Sequence, residues 1–247
     1  MKTHYRVFFF TGAVILLLTC MSGPARSAGD YHECMIEPYR EVKIASQVTG
    51  IVEEVLVERG DIVKKGQIVV KLRSGVEQAN VTQAQANVDF NKRKLERNKK
   101  LFEKEHISVH EKDEIETDIK KAEALLQEAT EKFEMKNIRS TVDGVVVKRD
   151  LNAGEYVGDK PIMTIAQISP LNVEVVVPVR QYGSITKGMG AEVRPESPVG
   201  GTYSGRVTIV DKAVDAASGT FGVRVELPNE KLTLPSGLKC RVRFYRK

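Results

Sequence analysis

Tryptophan is absent, and aromatic residues make up only 6% of the 247 residues. With 29% of residues charged, so few large apolar side chains argue against one large core and for several thin modules with much surface. Catalytic patterns are also missing: there is no G-x-S-x-G, no Walker loop and no Cys-x-x-Cys pair, and Ser, His and Asp show no triad-like grouping. These absences speak against an enzyme and imply no cofactor. The net charge of +5 owes most to Lys2, Arg6 and Arg26, which precede residue 28 with no acid among them. The remaining charges are mixed in sign, and no basic stripe is interleaved with aromatics. Nucleic acid is therefore not an expected partner.

Long hydrophobic runs are scarce as well. The longest, Val7 to Thr19, covers 13 residues, whereas a membrane-spanning helix needs about 20. With Lys2 and Arg6 before it and the small-x-small sequence Ala25-Arg26-Ser27 after it, residues 1–27 read as a signal peptide with the mature chain starting near Ala28. Two other readings stay open: lipidation at Cys20 after Leu17-Leu18-Thr19, and an uncleaved signal kept as an anchor. Cysteine is rare, with three in the chain. Once Cys20 leaves with the signal, Cys34 and Cys240 form an even pair in an oxidising compartment. That makes them a disulfide candidate or two separate, partly buried thiols.

The most informative feature present is an internal repeat. GIVEEVLVERGDIVKKGQIVVKL (Gly50 to Leu72) returns as GVVVKRDLNAGEYVGDKPIMTIA (Gly144 to Ala166), with Gly60 matching Gly154, Val63 matching Val157 and Ile68 matching Ile162 without a gap. Each copy alternates apolar and polar residues around a glycine turn, the signature of strand–turn–strand. Two such copies form the halves of one small β-sandwich, so the chain between them must leave and return.

That chain, roughly Val76 to Lys136, contains no Pro and no Gly and is rich in Ala, Glu, Lys, Gln and Leu, which favours helix. Val81, Ala84, Val88, Asn91, Leu95, Asn98 and Phe102 step by three and four, as do Ile115, Ile119, Ala122, Leu126, Ala129 and Phe133. Both are heptad seams with charged flanks. They fall out of phase around Glu103 to Lys112. The expected fold is an antiparallel coiled-coil hairpin with its tip near 104–108 and arms of roughly 40 Å. After Pro170 short alternating runs return, separated by turn residues such as Gly188, Gly200-Gly201 and Pro235-Ser236-Gly237. Five or six strands so spaced predict a small closed barrel.

The order of strand, half-sandwich, helical hairpin, half-sandwich and barrel resembles the HlyD-type periplasmic adaptor (membrane fusion protein) family of tripartite efflux and secretion pumps. The residues carrying the likeness are ASQVTGIVEEVLVERGDIVKKGQIVVKL (45–72), RSTVDGVVVKRDLNAGEYVGD (139–159), and TFGVRVELPN with LPSGLKCRV in 220–242. The resemblance implies a mostly β fold with an inserted α-helical coiled-coil hairpin: a split lipoyl-like (barrel-sandwich hybrid) domain plus a small β-barrel. The expected divisions are a signal peptide (1–27), a lead-in strand (28–44), a first half-sandwich (45–75), the hairpin (76–137), a second half-sandwich (138–168) and the barrel (169–247).

By the same resemblance the chain is a periplasmic adaptor, associated with the inner membrane through a transporter of RND or ABC type and reaching an outer-membrane channel. It would assemble as a homo-oligomer, a hexamer in this family, and pass small molecules outward unchanged. Members that dock to an outer-membrane channel carry Arg, then Leu four residues later, then Ser seven further on, at the hairpin tip. Arg97, Leu101 and Ser108 have that spacing. The family layout also returns the lead-in strand and the last barrel strand to one end, which brings Cys34 and Cys240 close.

Other readings compete with this one. Lipoyl and biotinyl carriers share the half-sandwich, but they present a modifiable Lys on the turn joining the halves. Here the hairpin replaces that turn, and Lys64 and Lys65 lie on an internal turn of one half. A passive coiled-coil envelope scaffold is the other alternative. His106 and His110 flanked by Glu105 and Glu111, and the soft-ligand trio His32, Cys34 and Met35, are possible metal ligands. Surface histidines and a structural cysteine are the plainer accounts, and no metal is expected.

Overall fold

A computed structural model describes Met1, residues 31–102 and residues 109–246, with side chains over 31–99 and 110–246. The expected signal cleavage site, Cys20 and the hairpin tip at 104–108 therefore lie outside the described residues. Residues 31 onward form one compact unit. It starts with β1 (His32–Ile44), β2 (Gly50–Val55), β3 (Ile62–Val63) and β4 (Ile68–Leu72). Two helices follow, α1 (Gly75–Phe102) and α2 (Val109–Glu134). Next come β5 (Asn137–Arg139), β6 (Gly144–Arg149), β7 (Tyr156–Val157) and β8 (Met163–Pro178), and last β9 (Gly190–Pro195), β10 (Tyr203–Val210), β11 (Thr220–Leu227) and β12 (Leu238–Tyr245).

The repeat folds as two matching halves of a sandwich. One sheet runs β5-β4-β2-β7, and the facing sheet holds β3 and β6 against the first part of β8 and the last part of β1. Equivalent residues take equivalent places: Val63 and Val157 are buried, while Ile62 and Tyr156 are each 62% exposed. The halves also exchange equivalent hydrogen bonds. Gly60 N–H donates to Val146 O and Gly154 N–H to Val52 O, both at 2.8 Å. Both glycines have positive φ, +99° and +88°, which only Gly adopts at little cost. The resemblance begins earlier than the glycines. Ile44, Ser46 and Val48 reappear 94 residues on as Ile138, Ser140 and Val142, and each Ser Oγ–H donates to the carbonyl of its Val at 2.6 Å.

Beyond Pro170 the chain closes a barrel. Its six antiparallel strands run β1-β12-β9-β10-β11-β8, and pairing of β8 with β1 completes the circle and leaves no open edge. Inward residues such as Ile36, Leu171, Val193, Val225 and Val242 fill the interior. The sandwich has its own core, built on Val52, Val69, Leu72, Ile162 and Ile165. β1 is more than a lead-in: its first part lines the barrel and its last part the sandwich, while β8 runs the other way, with its first part in the sandwich and its last part in the barrel. The two cores thus share one two-stranded ribbon.

Candidate partner interface

The helices lie side by side and antiparallel. Glu77 near the start of α1 meets Lys136 just past the end of α2, and Lys92 pairs with Glu123 at 2.8 Å. The seam positions are sheltered, with Val88, Ile115 and Ala122 buried and Val81, Ala84, Asn91, Leu95, Leu126 and Ala129 half-buried. Only three apolar side chains of the pair are fully buried among the described residues. The rest of each helix is polar surface, as the Glu, Lys and Gln content requires.

The base of the helix pair is fastened to the sandwich by charge. Lys136 Nζ sits 3.1 Å from Glu77 Oε1 and donates to Thr49 O at 3.3 Å. Arg139 bridges Glu134 at 3.1 Å and Gly66 O at 3.0 Å. A hydrogen bond to its backbone holds the Glu77 carboxyl below its ordinary pKa. Burial opposes this, and Lys136 adds to it. Residue-type patterns do not mark these contacts, because Lys and Glu are common throughout the helices.

The sequence-derived site residues fall as follows. Arg97 is exposed near the C-terminal end of α1, away from the sandwich. Leu101 lies on the last turn of α1, with its side chain outside the described residues, and Ser108 is outside them altogether. Cys34 and Cys240 stand directly opposite each other on β1 and β12 and form a disulfide, with Cα atoms 4.9 Å apart and S–S 2.08 Å.

Strand alternation separates the soft-ligand trio. His32 and Cys34 face inward, His32 against Phe244 with ring centroids 5.8 Å apart, while Met35 faces out. With Cys34 bonded to Cys240, the trio does not converge on a metal. His106 and Glu105 lie outside the described residues. Among the described residues no group of three or more His, Cys, Asp or Glu is placed to hold a metal ion. Lys64 and Lys65 occupy a turn inside the first half, where Lys65 N–H donates to Asp143 at 2.9 Å, and helices rather than a lysine-bearing turn join the halves.

A sandwich split by a helix pair and sharing a ribbon with a six-stranded barrel defines the barrel-sandwich class of fold. The chain belongs to the CzcB-like barrel-sandwich hybrid family, whose model matches residues 40–167, and the CusB-like β-barrel domain matches residues 171–247. It is 24% identical over 222 residues to the antibiotic efflux pump periplasmic linker protein ArpA of Pseudomonas putida, covering 83% of this chain and 58% of that one. It is 25% identical over 218 residues to the nodulation protein NolF of Rhizobium meliloti, covering 82% and 59%. The chain thus spans about three-fifths of the length of these relatives. In fold it resembles a MacA–MexA chimeric protein containing the Pseudomonas aeruginosa MexA α-hairpin domain. The TM-score is 0.73 at 19% identity, over 89% of this chain and 82% of that one. Among the described residues no helix is long and apolar enough to cross a membrane.

Proposed function

We propose that this chain is a non-enzymatic periplasmic adaptor that links an inner-membrane efflux transporter to an outer-membrane channel. The observation that carries the reading is the split sandwich: equal halves, one leading out to a helix pair and one into a barrel, within a family whose relatives are named as periplasmic linkers. The division into lead-in strand, two half-sandwiches, coiled-coil hairpin and barrel follows from this reading. In it several copies, six by resemblance, stand around a transport axis, and small molecules pass between them without covalent change. Self-assembly is required because one thin protomer encloses no channel.

Arg97, Leu101 and Ser108 form the docking tip in this reading. The exposure of Arg97 at the far end of α1 supports it. A guanidinium there offers directional donors to carbonyls or carboxylates on a partner, Leu101 adds an apolar knob, and Ser108 bonds or caps at the turn. The first prediction follows. Arg97→Asp and Leu101→Asp, singly and together, leave folding and secretion normal but abolish export and in-cell cross-linking to the channel. Wild-type export and cross-linking in all three variants would sink the tip assignment and leave the adaptor fold standing.

A further inference from the structure

Where the shared ribbon passes from sandwich to barrel, its ladder breaks. Pro38 pairs with Leu171 and Arg40 with Gln167, so Tyr39 alone stands opposite Ile168, Ser169 and Pro170. A bulge of this kind leaves backbone groups without cross-strand partners, and orphaned carbonyls in a protein interior are costly.

Three carbonyl oxygens in this gap are each met by a side-chain amide. Asn172 Nδ2 donates to Tyr39 O at 3.2 Å, Asn229 Nδ2 to Ile168 O at 2.9 Å, and Gln167 Nε2 to Ser169 O at 3.2 Å. Asn172 and Asn229 are only 6% and 4% exposed, so water cannot easily replace them. Gln167 is itself oriented by Arg40, whose Nε donates to Gln167 Oε1 at 3.0 Å. Asn229 reaches further. It donates to Leu234 O at 2.8 Å and accepts from Leu234 N–H at 3.1 Å, which ties the β11–β12 connection to the joint. Leu234 is buried in the barrel core, and Gly237 N–H bonds Ile36 O on β1 at 2.6 Å.

Hydrophobic packing does not explain polar side chains buried at a boundary between two apolar cores. A bulge with unsatisfied carbonyls would bend to many angles, each exposing them to water differently. A bulge whose carbonyls are held by directional amides has one preferred angle.

We propose that Asn172, Asn229 and Gln167 are positioning residues that fix the angle at which the sandwich, with its helix pair, stands on the barrel. The geometric claim is independent of the adaptor reading, and only its use, aiming the helix pair at a partner, rests on that reading.

The test measures the angle directly. Two spin labels are carried on non-cysteine synthetic amino acids at exposed Lys65 and Lys212 of the full chain, and their separation is read by pulsed electron resonance. The distance distribution of the parent is narrow. In Asn172→Ala, Asn229→Ala and Gln167→Ala it broadens at least twofold or moves to a new centre. Val173→Ala, a change in the barrel core at a residue that makes none of the three amide-to-carbonyl bonds, lowers the melting temperature and neither broadens nor shifts the distribution. Gln167 is only half-buried, so Gln167→Ala folds and decides the matter even if the asparagine variants do not. A distribution unchanged in both width and centre in Gln167→Ala, or an equal change in Val173→Ala, overturns the proposal. Neither result bears on Arg97, whose test reads cross-linking and export.

Discussion

The barrel and the helix pair are about as unlike as two parts of one chain can be. The barrel seals 17 buried residues inside a closed ring of strands, two of which, the neighbours β1 and β12, are tied by a disulfide. The helix pair, with helices of 28 and 26 residues, fully buries three apolar side chains among its described residues, Val88, Ile115 and Ala122. Two helices can bury only the stripe along which they touch, whereas a barrel buries every second residue of every strand. Stability is therefore concentrated in the barrel, and the helices are held by their seam and by charges at their base. On the proposed adaptor reading, the difference suits a part that must hold its shape and a part whose outer surface is kept for contact.

The comparison can be broken in several ways. Replacing both Cys34 and Cys240 by Ala has the largest expected effect, with a loss of about 5 kcal/mol in the loop-entropy limit for so long a loop. Denaturant unfolding followed separately by barrel and helical signals checks it. If the helical signal falls as far as the barrel's, the two regions unfold as one and the contrast fails.

A smaller effect comes from packing. Leu171→Ala in the barrel should cost about 3 kcal/mol, and Val88→Ala on the helical seam about 1.5 kcal/mol. Chemical denaturation of the two variants settles the ranking, and the reverse order would mean that the helix pair carries more of the stability than its burial implies.

Acid has the least effect. The Glu77 carboxyl is held below its ordinary pKa by a hydrogen bond to its backbone and by Lys136. Glu192 is also lowered: burial would raise it, but hydrogen bonds from Arg243, Tyr31 and Arg194 prevail. A carboxylate whose folded pKa is depressed contributes fully above its unfolded pKa and loses that contribution as pH falls through the folded value. Stability should thus be flat from neutrality to about pH 5 and decline below it. Melting temperature against pH is the measurement, and Glu77→Gln should reduce the slope on the acid side. A decline centred near neutrality would assign it to other groups.

Much of the fold was legible in the sequence because its periods are strong. The 94-residue repeat, the two seams and the barrel runs each announce themselves by alternation or by steps of three and four, and every seam residue whose side chain is described is buried or half-buried. The start of the repeat was harder to see. Ile44-Ala45-Ser46 and Ile138-Arg139-Ser140 match, but no glycine marks them, and the shared Ser-to-carbonyl bond leaves no trace in composition. The continuity of β8 was also hidden. Pro170 reads as a break, yet it sits at a bulge, where a proline costs no ladder hydrogen bond. Contacts set by single polar side chains, such as Lys136 with Glu77 or Asn229 with Ile168, follow no period, and only the folded chain brings them together.

The matched halves of the sandwich have a consequence for how such a molecule can be rebuilt. Arg73, where the chain departs for the helices, and Gln167, where it departs for the barrel, are equivalent points of the repeat. Ile44 and Ile138, where the chain comes in, are equivalent as well. The sandwich therefore works as a connector plate with two equivalent sockets, one fitted with a long pair of helices through Glu77, Lys136 and Arg139 and the other with a barrel through Gln167, Asn172 and Asn229. Helices of another length should be tolerated without redesigning the plate, provided the glycine turns at 60 and 154, the serine staples at 46 and 140 and the charged contacts of Glu77, Lys136 and Arg139 at the helix base are left in place.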